Sequence, residues 1–232
     1  MMQRMVGEGT WQHVAIIAPC SYMRAGLSAL MAAMTPAPTV RMWPSVAAWL
    51  QDAACVTGQR VSLDARLLLR LPERLGPLLE ALEFLRMYLR RQSQEGRRSL
   101  RGILLLTDVP KSWLYDTLRR LVKQESSLEG ILVLPACSQP SSIARALAGR
   151  ISSALLTAPG GRCLLSGLCR TEVRILVGFL VYGVSIQAQA HLSGVSPKTC
   201  YSQRQSAMKK FGVLSALRLA RWGAREWQRV QY

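Results

Sequence analysis

The sequence predicts an α/β domain built on a parallel sheet, followed by an all-α four-helix domain. Three observations lead there. Five short apolar runs alternate with helix-like segments between Trp11 and Ala158. A Pro- and Gly-containing break, Ala158-Pro159-Gly160-Gly161-Arg162, closes that alternation. Beyond the break the apolar residues follow helical spacing, most plainly at Cys200, Ala207 and Phe211, which fall at i, i+7 and i+11.

The first predicted strand, His13 to Ala18, is short and apolar, as a buried strand should be. A helix is predicted from Ser21 to Met34, a second strand from Thr39 to Trp43 and a second helix from Ser45 to Asp52. Arg66 to Leu71 reads as a third strand, closed by Pro72. Leu75 to Arg91 carries a strong helical pattern, and the polar stretch Arg90 to Arg98 reads as a charged loop. Gly102 to Thr107 is the fourth strand, Lys111 to Lys123 a helix, Gly130 to Leu134 the fifth strand and Ser141 to Ile151 the last helix. Strands and helices alternating at this spacing imply right-handed βαβ units and a parallel sheet. Five units in such a length match the flavodoxin-like (CheY-like) order.

The stretch from Ser196 to Val213 is the most informative in the chain. Ser196 can cap a helix and Pro197 suits its first turn, where a missing N–H costs nothing. Cys200, Ala207 and Phe211 share one apolar face. Lys198, Thr199, Tyr201, Ser202, Gln205 and Lys209 project away from it, and this outer set contains no carboxylate. Amides and hydroxyls can read base edges, and ammonium groups can hold phosphates. Gly212 then ends the helix.

These residues resemble the reading helix of the LuxR/FixJ (NarL-type) helix-turn-helix family. The matching pieces are Ser196, Lys198-Thr199-Cys200, Gln203 and Lys210-Phe211-Gly212-Val213. The run Ser206-Ala207-Met208-Lys209-Lys210 is most similar to the RcsB/BglJ/GadE-like subgroup. Upstream, Leu168, Glu172, Ile175-Leu176, Gly183, Ser185 and Ala188 to Leu192 also fit, although the interval from Glu172 to Gly183 is one residue longer than usual. The resemblance implies four helices, Thr171–Tyr182, Ile186–Leu192, Pro197–Phe211 and about Leu214–Gln228. It implies base reading by Tyr201, Ser202 and Gln205, with Lys198, Thr199, Ser206 and Lys209 completing the DNA-binding set. It also implies a dimer contact on the last helix, at Leu217, Ala220 and Arg221.

The first domain resembles a response-regulator receiver whose chemistry is missing. A receiver holds Mg²⁺ with an acidic pair after its first strand, because that hard cation takes carboxylate oxygens. Pro19-Cys20 stand there instead. Arg70 replaces the aspartate nucleophile at the end of the third strand, and Leu134-Pro135 replace the lysine after the fifth. Thr107 does occupy the switch position, and Asp64 and Asp108 are the remaining acids. The degenerate pocket is thus Pro19, Cys20, Arg70 and Thr107. Arg70 either supplies a permanent positive charge or snorkels to solvent at a strand end. The domains expected are a degenerate receiver at 1–158, a linker at 159–164 and a LuxR-type helix-turn-helix at 165–232.

Composition agrees with a polyanionic partner. The chain has 232 residues, 30 Lys+Arg against 13 Asp+Glu, and a formal net charge of +17. From Gly160 onward there are 11 basic and 2 acidic residues, +9 of that total. The six cysteines, at 20, 55, 137, 163, 169 and 200, form no CxxC pair and read as buried small hydrophobes of a reducing cytoplasm. The Trp residues read as core or interface packing. No secretory signal precedes Val14, and the run Ile175 to Ile186 is too short to cross a bilayer.

The expectation is a bacterial, cytoplasmic, nucleoid-associated transcription regulator, not an enzyme, with neither metal nor cofactor. It would act on double-stranded DNA without aspartyl phosphorylation. It would pair as a homodimer or as a heterodimer with a related, RcsB-like response regulator, with RNA polymerase as a further candidate partner and no membrane role. Two alternatives are a modulator that sequesters another response regulator and a small-ligand sensor using the degenerate pocket.

Overall fold

The computed structural model describes residues 13–55, 66–94, 102–122, 128–148, 150–158, 165–223 and 226–227. Five strands are present: β1 (His13–Ile17), β2 (Thr39–Trp43), β3 (Arg66–Arg70), β4 (Ile103–Leu106) and β5 (Ile131–Leu134). Nine helices accompany them among the described residues. They are α1 (Ser21–Ala32), α2 (Val46–Cys55), α3 (Leu75–Gln94), α4 (Lys111–Val122), α5 (Pro140–Leu147), α6 (Arg170–Leu180), α7 (Ile186–Ser193), α8 (Pro197–Lys210) and α9 (Ala216–Ala220).

All strand pairs are parallel, in the order β2-β1-β3-β4-β5. That is the flavodoxin-like order the alternation predicts. The register aligns the strand ends, with Ile17 opposite Trp43 and Leu69, and Arg70 opposite Leu106. Every residue of β4 is buried, as are Leu67 to Leu69 of β3, which explains why these strands are apolar runs rather than alternating ones.

The chain divides into two compact units, and they do not follow chain order. The first draws on segments Met1–Arg70, Ser99–Leu106 and Gly130–Leu155. It holds the sheet, α1, α2 and α5. Its core packs Val14, Ile16, Ala18, Leu68, Leu104, Leu106 and Leu134 of the sheet region against Leu27 and Met31 of α1 and Ile143, Ala146 and Leu147 of α5. Each Val, Leu, Ile or Met among them contributes about 1.5–3 kcal/mol of burial. Leu155 makes an antiparallel bridge to Leu132, which partly covers the β5 edge.

The second unit draws on Leu71–Arg98, Thr107–Glu129 and Leu156–Tyr232. Here α3 packs on α4, α6 and α9, while α8 packs on α6 and α7. Along α3, Leu75, Leu78, Leu79, Leu82, Leu85 and Leu89 are buried at helical spacing. An aromatic cluster joins α4 to the C-terminal segment. Trp113 lies 4.9 Å from Trp227 and 6.0 Å from Phe211, and Phe211 lies 4.9 Å from Trp222, between ring centres. Trp227 Nε1 donates to the Glu73 carbonyl at 2.9 Å, and the Leu75 amide donates to the Trp222 carbonyl at 3.0 Å. The second bond satisfies one of the orphan donors of the first turn of α3.

Several expectations need correcting. The α3 helix runs to Gln94, so residues 90–94 are helical rather than loop. Arg91, in its last turn, complements the dipole. Conversely, α5 stops at Leu147, not Ile151, just before Gly149 in the sequence. The last helix is the largest departure. Ala216–Ala220 form α9, residues 221–223 leave the helix, 226–227 are helical again, and 224, 225 and 228 lie outside the described residues. Burial of Trp222 among the aromatic rings overrides the helical pattern there. The cysteines are not uniformly buried: Cys20 and Cys137 are exposed, Cys169 is intermediate, and Cys200 alone of these four is buried. The expected linker, 159–164, lies outside the described residues, as does Asp64.

Candidate nucleic-acid interface

The candidate interface is the turn between α7 and α8 with the outer face of α8. Each end of this unit is fixed by local chemistry. Ser185 Oγ accepts from the Ala188 amide at 3.2 Å and starts α7. Gly194, at φ 63°, ends it in the left-handed conformation, and the Val195 amide reaches back to the Ala190 carbonyl at 3.1 Å. Ser196 Oγ accepts from the Thr199 amide at 3.1 Å, and Pro197 opens α8. Gly212, at φ 63°, closes it, with the Val213 amide bonded to the Met208 carbonyl at 3.0 Å. The sequence motif therefore resolves into two capped helices joined by a tight turn.

The inner face of α8 is seated on α6 and α7. Cys200 clusters with Ile175, Ala190 and Ile186, while Ala207, Met208 and Phe211 are also buried. Glu172 of α6 is the polar anchor. It is only 3% exposed, and each carboxylate oxygen is satisfied. Oε1 accepts from Ser206 at 2.8 Å. Oε2 accepts from Lys210 Nζ at 2.7 Å and from the Cys169 amide at 2.8 Å. Burial pushes the Glu172 carboxyl up, but the hydrogen bonds from Lys210, the Cys169 amide and Ser206, with the Lys210 charge, hold it below its ordinary value. Lys210 also donates to the Gly167 carbonyl at 3.1 Å.

A further support comes from α4. The Gly167 amide donates to Asp116 Oδ2 at 2.8 Å, and the Leu168 amide to Thr117 Oγ1 at 3.2 Å. A Cβ on Gly167 would come within 2.6 Å of the Thr117 backbone nitrogen, so only glycine fits. Asp116 also pairs with Arg120 at 3.0 Å and Arg119 at 3.4 Å. Sequence reasoning missed this contact, because its partners lie 51 residues apart.

The outer face carries the expected side chains. Lys198, Thr199, Tyr201, Ser202 and Lys209 are exposed, and Gln205 is half-buried. Gln205 Nε2 donates to Tyr201 Oη at 3.0 Å, one helical turn away. Ser206 is exposed as well, and its hydroxyl donates to Glu172 Oε1, which ties it to the α6–α8 anchor. Arg204, singled out by nothing in the sequence pattern, lies over both Phe179 and Tyr201.

On α9, Leu217 is 62% exposed, and Ala220 and Arg221 are exposed beside it. Leu214, at 92%, is exposed just before α9. Leu219, between them in sequence, points inward and is buried. The residues expected to mediate pairing are thus on the surface.

The sheet unit keeps the frame of a receiver and fills its strand ends differently. Pro19 and Cys20 are exposed beyond β1. Arg24 of α1 donates to the carbonyls of Ala18 at 2.6 Å and Pro19 at 2.9 Å. A guanidinium therefore sits on the backbone at the end of β1. Arg70 is half-buried, and its Nη1 reaches the Leu106 carbonyl at 3.4 Å across the β3–β4 pair. In the second unit, Thr107 is buried and its Oγ1 accepts from the Val109 amide at 3.1 Å. Asp108 is half-buried.

No family model and no curated protein matches the chain by sequence. Solved structures are similar. One is RcsB from Salmonella enterica serovar Typhimurium bound to promoter P1flhDC with the phosphomimetic BeF3-, at a TM-score of 0.52 and 19% identity. Another is RcsB from the same organism bound to promoter rprA with BeF3-, at a TM-score of 0.50 and 18% identity. Each match covers 92% of this chain and 98% of that one. The chain therefore has the fold of RcsB along most of its length: a five-stranded parallel, receiver-like sheet with its helices, followed by a helical bundle that contains a helix-turn-helix.

Proposed function

We propose that the protein is a LuxR/FixJ-type transcription regulator, most similar to the RcsB/BglJ/GadE-like subgroup, that binds double-stranded DNA through α8. One observation carries this reading. The outer face of α8 presents Lys198, Thr199, Tyr201, Ser202, Gln205 and Lys209 with no carboxylate, on a helix seated and capped at both ends. Helix-turn-helix proteins place such a face in the major groove. The RcsB structures that share this fold were solved on promoter DNA, and a charge of +17 supplies sequence-independent attraction.

In this reading residues 1–158 form a degenerate receiver, 159–164 a linker and 165–232 the DNA-binding domain. Regulation does not use aspartyl phosphate, since Pro19, Cys20, Arg24 and Arg70 supply no Mg²⁺ ligands. Pairing, with a second copy or with an RcsB-like regulator, uses Leu217, Ala220 and Arg221. The site of action is the bacterial nucleoid, with RNA polymerase as the neighbour. The exposed Leu214 and Leu217 also suit a second reading, in which the chain sequesters another response regulator. Chromatin immunoprecipitation decides between them. Discrete peaks that vanish in Gln205→Ala support direct DNA reading. A flat profile, or peaks indifferent to Gln205, overturns it.

A further inference from the structure

The reading face contains a buttress that reaches from α6 to the exposed surface of α8. Phe179 lies near the end of α6. The guanidinium carbon of Arg204 sits 5.2 Å from the centre of its ring and 5.4 Å from the centre of the Tyr201 ring. Both are within the range at which a cation is attracted to an aromatic face. Arg204 Nε is buried and lacks a hydrogen-bond partner. Ring contacts are thus prominent in holding this side chain. Tyr201 is 49% exposed, and its hydroxyl accepts from Gln205 Nε2 at 3.0 Å.

This chain of contacts fixes more than position. A glutamine amide has two N–H donors and one carbonyl acceptor. With one N–H held by Tyr201, the other N–H and Oε1 remain as an adjacent donor and acceptor. Adenine presents the complementary pair in the major groove, N7 as acceptor and the N6 amino group as donor. An unheld glutamine swings about its side-chain torsions, which blurs that match. The hydrogen bond to the phenol keeps the amide from swinging freely, and Arg204, over both Phe179 and Tyr201, restrains the phenol ring.

We infer that Gln205, held by Tyr201, selects an adenine in the operator, and that Arg204 and Phe179 are positioning residues for this selection. The inference rests on the DNA-reading role of α8 and adds the base that it reads. Arg204 acts through Tyr201. It sets specificity while contributing no base contact of its own.

The test uses the full-length protein and a randomised duplex library. Wild type should enrich duplexes with a constant adenine in each half-site. Replacing that adenine by 7-deazaadenine, which lacks the N7 acceptor, should weaken binding about tenfold. In Tyr201→Phe the penalty should fall below about threefold, because the phenol ring stays and only the anchoring hydroxyl is lost. Arg204→Met should move the same way, and Arg204→Lys, which keeps the cation, should restore most of the discrimination. A merely structural role for Arg204 would lower the melting temperature without changing the base preference. Retention of the full 7-deazaadenine penalty in Tyr201→Phe overturns the inference while leaving the DNA-reading role intact. A wild-type protein that enriches no sequence overturns that role and the inference with it. Without DNA, the Gln205 side-chain amide should give a rigid NMR order parameter in wild type and a mobile one in Tyr201→Phe. Equal mobility in the two proteins also overturns it.

Discussion

The strand ends of the sheet and the outer face of α8 make a useful contrast. In both, the backbone frame is regular and follows from apolar spacing. At the strand ends, however, the side chains expected of a receiver are gone, and Arg24 and Arg70 are turned onto backbone carbonyls. On α8 the side chains expected of a DNA reader are on the outer face, all exposed but the half-buried Gln205, and the ones behind them are tightly anchored. Fold persistence says little about function, and the site residues decide it.

The sharpest way to break this contrast is to loosen the anchored side. Trp227 is fully buried and touches Trp113, Trp222 and Phe211. Trp227→Ala should cost about 3–5 kcal/mol in chemical denaturation, and DNA affinity should fall with it. A loss under about 1 kcal/mol would show that the aromatic cluster does not hold the bundle.

A smaller effect should follow from Glu172. Its folded pKa is lowered, so its stabilising contribution is full above the ordinary glutamate value of about 4.3 and is lost as pH falls through the lower folded value. Glu172→Gln should therefore be less stable than wild type near neutral pH, by about 1–3 kcal/mol, and the two melting curves should converge in acid. A constant gap down to pH 2 would assign the difference to packing instead of charge.

Leu217→Asp should barely change the melting temperature, because Leu217 is already exposed. It should abolish pairing on a two-half-site operator, since a charge desolvated in an interface is costly without a partner. Sedimentation on DNA reads this directly, and undiminished cooperative binding would remove α9 from the dimer contact. The smallest expected effect is at the strand ends. Beryllofluoride with Mg²⁺ should leave the melting temperature unchanged, for lack of a carboxylate ligand set. A Mg²⁺-dependent rise would put a working acidic pocket where the contrast has none.

The legible parts of the molecule are those governed by local pattern. Apolar runs located all five strands, and Ser196, Pro197 and Gly212 bounded α8 nearly to the residue, because caps and turns are written in adjacent side chains. What was not legible depends on distant partners. The short α9 reflects Trp222 leaving the helical path to join an aromatic cluster. The bond from Ser206 depends on Glu172, 34 residues earlier. The grouping of α4 with the C-terminal helices is marked by Thr117 and Asp116 meeting Leu168 and Gly167, and that of α3 by its packing on α6 and α9. Spacing within a helix identifies its buried face but not what covers that face.

The central claim is that α8 reads sequence with Gln205 and grips the backbone with Lys209. Fluorescence anisotropy across a salt series tests it most directly, using the wild-type, Gln205→Ala and Lys209→Ala proteins on the selected operator and on a scrambled duplex. Gln205→Ala should lose about 1–3 kcal/mol on the operator and almost nothing on the scrambled duplex. Lys209→Ala should weaken binding to both equally and flatten the salt slope by about 0.9. A Gln205→Ala protein that binds both duplexes as wild type does would contradict the claim.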